Sequence, residues 1–310
     1  MALLAIAMVA CSQGPVASSA TTPSLSACRL PISIQQVQGG PKGAFLAFPS
    51  GKATIDPSGA GGVYYDRQFT RWLPQPAKSV SPDKSHYAFG GATGENKPIL
   101  HIVDVASGAD RTYSLPDALL GGLGGDEVFE YSKDVIYLGV YGEGSIASLW
   151  TFDIPSGVTK YVAIPNIGAM DGNIVWRGTL NASDSKAWTF VPGSPTNQIA
   201  RLDLRDSTSA VWLYRPGHLL GVLGVDAEHH PIVMDFIDKQ TVELLVLLDA
   251  NNQRSIYKGS TNSWTGFISG VAADSHGVWF GTDRGIYLYS EAGGVKKVSD
   301  QGGNPAGTCA

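Results

Sequence analysis

One pattern limits what this chain can fold into: a pair of short segments that recurs six times. In one member, an apolar run ends in an acidic residue, a small turn follows, and a second apolar run begins. It reads GGVYYDRQFTRWL at 61–73, ILHIVDVASGADRTYSL at 99–115 and SLWTFDIPSGVTKYVAI at 148–164. It returns as QIARLDLRDSTSAVWLY at 198–214, ELLVLLDANNQRSIYKG at 243–259 and GIYLYSEAGGVKKVSD at 285–300. The markers Asp66, Asp104, Asp153, Asp203, Asp249 and Ser290 are spaced 38, 49, 50, 46 and 41 residues apart. The other member is a polar turn before an apolar run, as in SVSPDKSHYAFG (79–90), FEYSKDVIYLG (129–139) and NASDSKAWTFV (181–191). VDAEHHPIVMD (225–235) and AADSHGVWFG (272–281) continue it, and QVQGGPKGAFLAF (36–48) reads as a degenerate first copy. Its turn acids are Asp83, Asp134, Asp184, Asp226 and Asp274.

Short Asp, Asn and Ser side chains bond the backbone two residues on, and Gly and Asn accept positive φ, so these positions read as turns. The flanking runs are rich in Val, Ile, Tyr, Phe and Trp and read as strands. Runs such as VIYLGVY and VELLVLL are apolar on both faces, which suits strands sandwiched between sheets. No stretch shows a sustained helical period with caps. A repeat of about 45 residues made of short strands predicts an all-β fold, a six-bladed β-propeller of four-stranded antiparallel blades. The strands of each blade are lettered A to D from the axis outward. The blades are expected at about 32–73, 79–115, 119–164, 167–214, 218–259 and 265–298. In this reading each chain end keeps its own strands, with strand A of blade one near 32–38 and strand D of blade six near 294–298.

The hydrophobic content of 43% over 310 residues is ample for a large core. No basic run exceeds Lys296-Lys297, which argues against a nucleic-acid partner. One domain, 29–310, accounts for the chain after the first residues. Ala2 to Ala10 are uncharged and almost wholly apolar, and Cys11 follows. This segment resembles a bacterial lipoprotein signal with its lipobox. The resemblance implies a signal peptide at 1–10, a lipidated Cys11, a tether at 11–28 and export to the cell envelope, anchored to the membrane. Met8 stands where Leu is usual and no basic residue precedes the run, which points to an upstream start codon. The run is too short to cross a bilayer, which takes about 20 residues. The tether would span roughly 20–25 Å. Cys28 and Cys309 remain. Closing a propeller brings its first and last blades together, and export permits a disulfide, so Cys28–Cys309 is the expected pair.

There is no Gly-x-Ser-x-Gly elbow, His-Glu-x-x-His or Cys-x-x-Cys, so no catalytic residue, metal ligand or cofactor is assigned. His229 and His276 fall at turn positions, and His101 lies mid-strand as a satisfied core histidine. Asp249-Ala-Asn251-Asn252 lacks the alternating acids of a calcium loop and reads as a turn. Trp150, Trp188, Trp212 and Trp279 read as packing, Trp72 and Trp264 as exposed.

In an up-down blade the B–C and D–A loops emerge together, opposite the repeated Asp turns. They vary while the other face repeats, and variable loops on a rigid scaffold are where binding usually lives. Glu95, Glu143, Asp235 and Asp283 from the B–C loops, with Asp171, Arg215, His218 and Trp264 from the D–A loops, are the candidate ligand-binding residues. Their acidic bias suits a basic or hydroxyl-rich ligand.

SPDKSHYAFGG…PILHIVDVASG resembles the TolB-like and WD40-like extracytoplasmic propellers, with Lys84 at the usual Gly position of a Ser-Pro-Asp-Gly-Lys turn. DSHGVWFGTDRGIYLYS at 274–290 resembles the two-component-regulator type of propeller repeat. The resemblance implies a propeller and a non-catalytic role in binding a protein, peptide or glycan. The alternative is a propeller enzyme of lactonase, lyase or glycosidase type, which needs a carboxylate or histidine cluster at the axis.

Overall fold

A computed structural model describes residues 26–34, 39–119, 127–140, 148–162, 186–192, 196–203, 208–238, 240–260, 268, 270–282 and 284–310. Apart from two short 3-10 turns, Ala77–Ser79 and Asp117–Leu119, the regular elements among them are β-strands. Five antiparallel sheets are built from consecutive strands. Blade two comprises His86–Ala92, Pro98–Asp104 and Asp110–Ser114. Blade three comprises Glu127–Tyr131, Val135–Val140, Ser148–Asp153 and Val158–Tyr161. Lys186–Pro192, Thr196–Asp203 and Thr208–Pro216 make blade four. Leu219–Val225, Pro231–Phe236, Thr241–Leu247 and Gln253–Ser260 make blade five. Val271–Asp274, Gly277–Thr282, Gly285–Ser290 and Gly294–Ser299 make blade six. A further four-stranded sheet runs Asn304–Pro305, Cys28–Ile34, Lys42–Phe48, Lys52–Ala60 and joins the two chain ends. The molecule is an all-β propeller with four-stranded antiparallel sheets.

The expected six complete copies are corrected, because the repeat builds five blades. The first copy goes elsewhere. Tyr64–Asp66 and Arg71–Leu73 form a two-stranded hairpin of their own, so Asp66 marks no blade. The hairpin packs Tyr65 and Trp72 against Phe45 and Ala306 on one side and Leu73 against Val80 and Val105 on the other. It is therefore a wedge between the closing sheet and blade two. Its sequence imitates a blade's outer strands because a hairpin buried on both sides needs the same apolar residues. The true outer strand of the closing sheet, Lys52–Ala60, is largely exposed and polar, so it reads as loop. Trp72, expected to be exposed, is buried and donates from Nε1 to Asp56 Oδ2 at 3.1 Å. A Cβ on Gly43 would stand 2.3 Å from the Trp72 ring, which explains that glycine.

The expectation that each chain end keeps its own strands is corrected as well. Asn304–Pro305 supplies the innermost strand beside Cys28–Ile34, with Ile32 opposite Pro305 and Ser33 opposite Asn304. Continuing that register places Cys28 opposite Cys309, and the two form the expected disulfide with Cα atoms 5.5 Å apart. Blades three, five and six join their A and B strands by an Asp turn; here the chain is open and the disulfide bridges that position. Blades two and four show three strands. In blade two the innermost segment is reduced to a Val80–Tyr87 bridge. Pro74, Pro76 and Pro82 bracket it, and proline cannot donate to a ladder. The expected first strand of blade four falls outside the described residues.

Candidate functional site

The repeated acids build the turns at one end of the sheets. Asp83 Oδ1 accepts from Ser81 Oγ (2.6 Å), Ser85 Oγ (2.7 Å) and Ser85 N–H (3.1 Å). These bonds lower its pKa from 3.8 to about 2. Asp226 Oδ1 accepts from the N–H groups of Glu228 and His230 at 2.9 and 2.8 Å. Asp104 accepts from Ser107 N–H at 2.7 Å, and Asp249 from Asn251 and Asn252 N–H at 2.7 and 2.9 Å. The Asp249 carboxylate thus closes its own turn. His101 Nδ1 meets Asp110 Oδ2 at 2.8 Å and its ring stacks on Phe89. His276 is more than a turn residue. It is buried, and its Nε2 lies 3.0 Å from Ser26 O, holding the incoming chain.

The opposite end is different. Arg215 lies at the end of Thr208–Pro216, and His218 lies just before the innermost strand of blade five, Leu219–Val225. Asp235 sits near the end of Pro231–Phe236, opposite Leu220 on one side and Glu243 on the other. The bend between blades four and five is made by Gly217 at φ 76°, a left-handed conformation that glycine takes without steric cost. It delivers both preceding and following side chains onto Asp235. His218 Nδ1 donates to Asp235 Oδ1 at 2.8 Å, and Arg215 Nη1 donates to Asp235 Oδ2. Arg215 also reaches Glu243 Oε2 at 3.1 Å. Asp235 is 0% exposed, while the Arg215 and His218 side chains are 21% and 26% exposed. Burial raises the Glu243 pKa, but hydrogen bonds from Ser255 and Arg215, and the Arg215 charge, outweigh it and hold the carboxyl below its usual range.

A carboxylate only accepts, so Asp235 holds a proton of His218 on Nδ1 and orients the ring. The cluster offers a held guanidinium, a basic imidazole nitrogen and carboxylate edges. Such groups bind a hydroxyl-rich or peptide ligand, and an imidazole so held can take a proton as a general base. Among the described residues no group of three or more His, Cys, Asp or Glu side chains is placed to hold a metal ion.

Three of the sequence candidates, Arg215, His218 and Asp235, therefore come together. Glu95 does not; it lies on an exposed turn of blade two and pairs with Lys97 at 3.1 Å. Glu143, Asp171, Trp264 and Asp283 lie outside the described residues, as does Cys11. Glu243 was not singled out, although its strand alternation places it across from Asp235.

A cavity of about 790 Å³ runs along the axis. The inner strands line it through residues such as Tyr131, Val225 and Ala273, with the closing strand at Ala306 and the wedge hairpin at Tyr64 and Asp66. Among the described residues no helix is long and apolar enough to cross a membrane.

No family model matches the chain, and no curated protein matches its sequence. Solved structures do. TolB from Acinetobacter baumannii superposes with a TM-score of 0.55 at 12% identity, over 91% of this chain and 67% of that one. The putative TolB from Agrobacterium tumefaciens matches at 13% identity over 77% of this chain and 84% of its own, with a TM-score of 0.46. The extracellular domain of the putative one component system BT4673 from B. thetaiotaomicron gives 0.48 at 14% identity, over 85% of this chain and 39% of that one. At these identities the likeness is one of architecture. In fold, the chain is a TolB-like β-propeller.

Proposed function

We propose that this protein is an exported propeller, anchored through a lipidated Cys11, that binds a protein, peptide or glycan at the B–C and D–A end of its sheets. The observation that carries the reading is the convergence of Arg215, His218 and Asp235, drawn from two blades, around a fully buried carboxylate. A buried acid is costly unless paired, so the cluster holds its shape before any ligand arrives. Glu143, Asp171, Trp264 and Asp283 are proposed as the surrounding contacts. Export is supported by the disulfide, which forms in oxidising compartments.

The test is a screen of purified protein against glycan and peptide arrays, repeated with Arg215→Ala and His218→Ala. Binding to a defined ligand that falls at least about tenfold in both variants is the expected result. Unchanged binding in both would remove the cluster from the site. Anchoring is tested by fractionating cells carrying Cys11→Ser, which should release the protein; a single chain binds membranes only marginally, so multiple acylation is expected. A variant that stays membrane-bound would contradict it.

One observation favours a second reading. The His218–Asp235 pair has the geometry of a general base and its orienting acid. Turnover of a lactone or glycoside by the parent, abolished in His218→Ala, would establish the enzyme in place of the binding module.

A further inference from the structure

The chain enters the propeller at the end of the sheets that carries the Asp turns. Cys28–Ile34 starts there, with Cys28 opposite Phe48, and runs to the other end. Its first residues are held in place from several sides. Cys28 is bonded to Cys309. Arg29 N–H donates to Ala310 O at 2.9 Å, and Arg67 Nη2 donates to Arg29 O at 2.8 Å. One step earlier, Ser26 O lies 3.0 Å from Nε2 of the buried His276, in the A–B turn of blade six. The residues before Ser26 therefore leave the body at the Asp-turn end.

The candidate ligand cluster lies at the opposite end. Arg215, His218 and Asp235 meet where the innermost strand of blade five begins, and the Asp226 turn follows where that strand finishes. The strand, Leu219–Val225, has seven residues, which at about 3.3 Å each sets the two ends about 20 Å apart. Fifteen residues separate Ser26 from Cys11. A chain of that length relaxes to a span of roughly 20 Å. Turning the body over would stretch it along the whole side of the propeller, at a cost in chain entropy. The exposed carboxylates of Asp83, Asp134 and Asp249 repel anionic headgroups. The relaxed span exceeds the Debye length of about 8 Å, so this end stands off the surface instead of turning away from it.

We infer that the anchored protein turns its Asp-turn end to the membrane and its Arg215–His218–Asp235 end away from it. The inference rests on the proposed lipidation of Cys11. It narrows the partner: the ligand of the cluster approaches from the aqueous compartment and is not a headgroup of the anchoring bilayer.

Energy transfer from acylated, full-length protein to vesicles tests this. The vesicles are of phosphatidylethanolamine and phosphatidylglycerol with an acceptor-labelled headgroup. The donor dye is placed on Ala106→Cys or Glu95→Cys, exposed turn residues at opposite ends of one strand of blade two, Pro98–Asp104. Cys28 and Cys309 are joined and Cys11 is acylated, so the added thiol takes the dye. Transfer from Ala106→Cys should be at least about twofold stronger than from Glu95→Cys, because the ends lie about 20 Å apart. Ala250→Cys, on the Asp249 turn of blade five, should also exceed Glu95→Cys, and it decides the matter if Ala106→Cys fails to fold. Equal transfer from the two ends, or stronger transfer from Glu95→Cys, on vesicle-bound protein would overturn the orientation and leave the anchoring standing. Protein that binds vesicles no better than its Cys11→Ser form would remove the anchoring and the inference together.

Discussion

Asp226, in the turn after the innermost strand of blade five, and Asp235, on the next strand, lie nine residues apart, yet the molecule uses them in opposite ways. Asp226 is bonded to its own backbone, closing the turn through the N–H groups of Glu228 and His230. Asp235 makes no such local bond in the described hydrogen bonding; it holds Arg215 and His218 from across the junction with blade four. The difference separates acids that close local turns from an acid that joins two blades. At the Asp-turn end, acids such as Asp83, Asp104, Asp226 and Asp249 are committed to their own turns. At the other end, polar side chains are committed to one another.

If that division is right, damage at the turn end should cost stability and spare binding. The largest effect is expected from removing the disulfide, which stands where the closing sheet lacks a turn. The loop it closes spans 281 positions. Chain entropy for that length sets an upper bound of about 5–6 kcal/mol, and losses of about 2–5 are typical. Cys28→Ser with Cys309→Ser should lower Tm by roughly ten degrees, read by calorimetry, with ligand binding unchanged below the transition. A shift of a degree or less would show that the Asn304–Pro305 strand closes the ring unaided.

Asp274→Ala should come next. Its carboxylate accepts from His276 N–H, from Trp279 Nε1 at 2.9 Å and from Cys309 N–H at 2.7 Å. Leaving buried donors unpaired costs about 1–3 kcal/mol, so chemical denaturation should show a loss in that range. At the other end, His218→Ala should cost less than about 1 kcal/mol, because the Arg215–Asp235 pair remains. It should nevertheless be the variant that loses binding. A larger stability loss than Asp274→Ala would blur the division.

The smallest effect is a pH dependence. The folded pKa of Asp83, about 2, lies below its ordinary value of 3.8, through hydrogen bonds from Ser81 and Ser85. A depressed carboxyl stabilises the fold above its unfolded pKa and loses that contribution as pH falls through the folded one. The Tm difference between parent and Asp83→Asn should be constant near neutrality and close between about pH 4 and pH 2. Asp83 is exposed, so solvent screening keeps the difference small. A difference that grows on acidification would contradict the assigned role.

Much of this was legible in the chain. Turn chemistry at Asp83, Asp104, Asp226 and Asp249 is local, so the residues reveal it without the fold. The disulfide followed from ring closure. Blade count and closure did not, because Lys52–Ala60 is a solvent-facing strand without apolar alternation and the Asn304–Pro305 strand is only two residues long. Asp66 read as one more marker, since the sequence around a buried wedge hairpin looks like that of a blade. The site was half legible. Loop identity pointed to Arg215, His218 and Asp235, but only the register brings them onto one carboxylate and adds Glu243.

The most direct test of the two-ended account is hydrogen exchange by mass spectrometry on the protein with and without a ligand recovered from the arrays. The account predicts slowed exchange at 215–220 and 235–243, with 82–85, 226–230 and 274–276 unaltered. Protection confined to the Asp turns, with 215–220 unchanged, would contradict it.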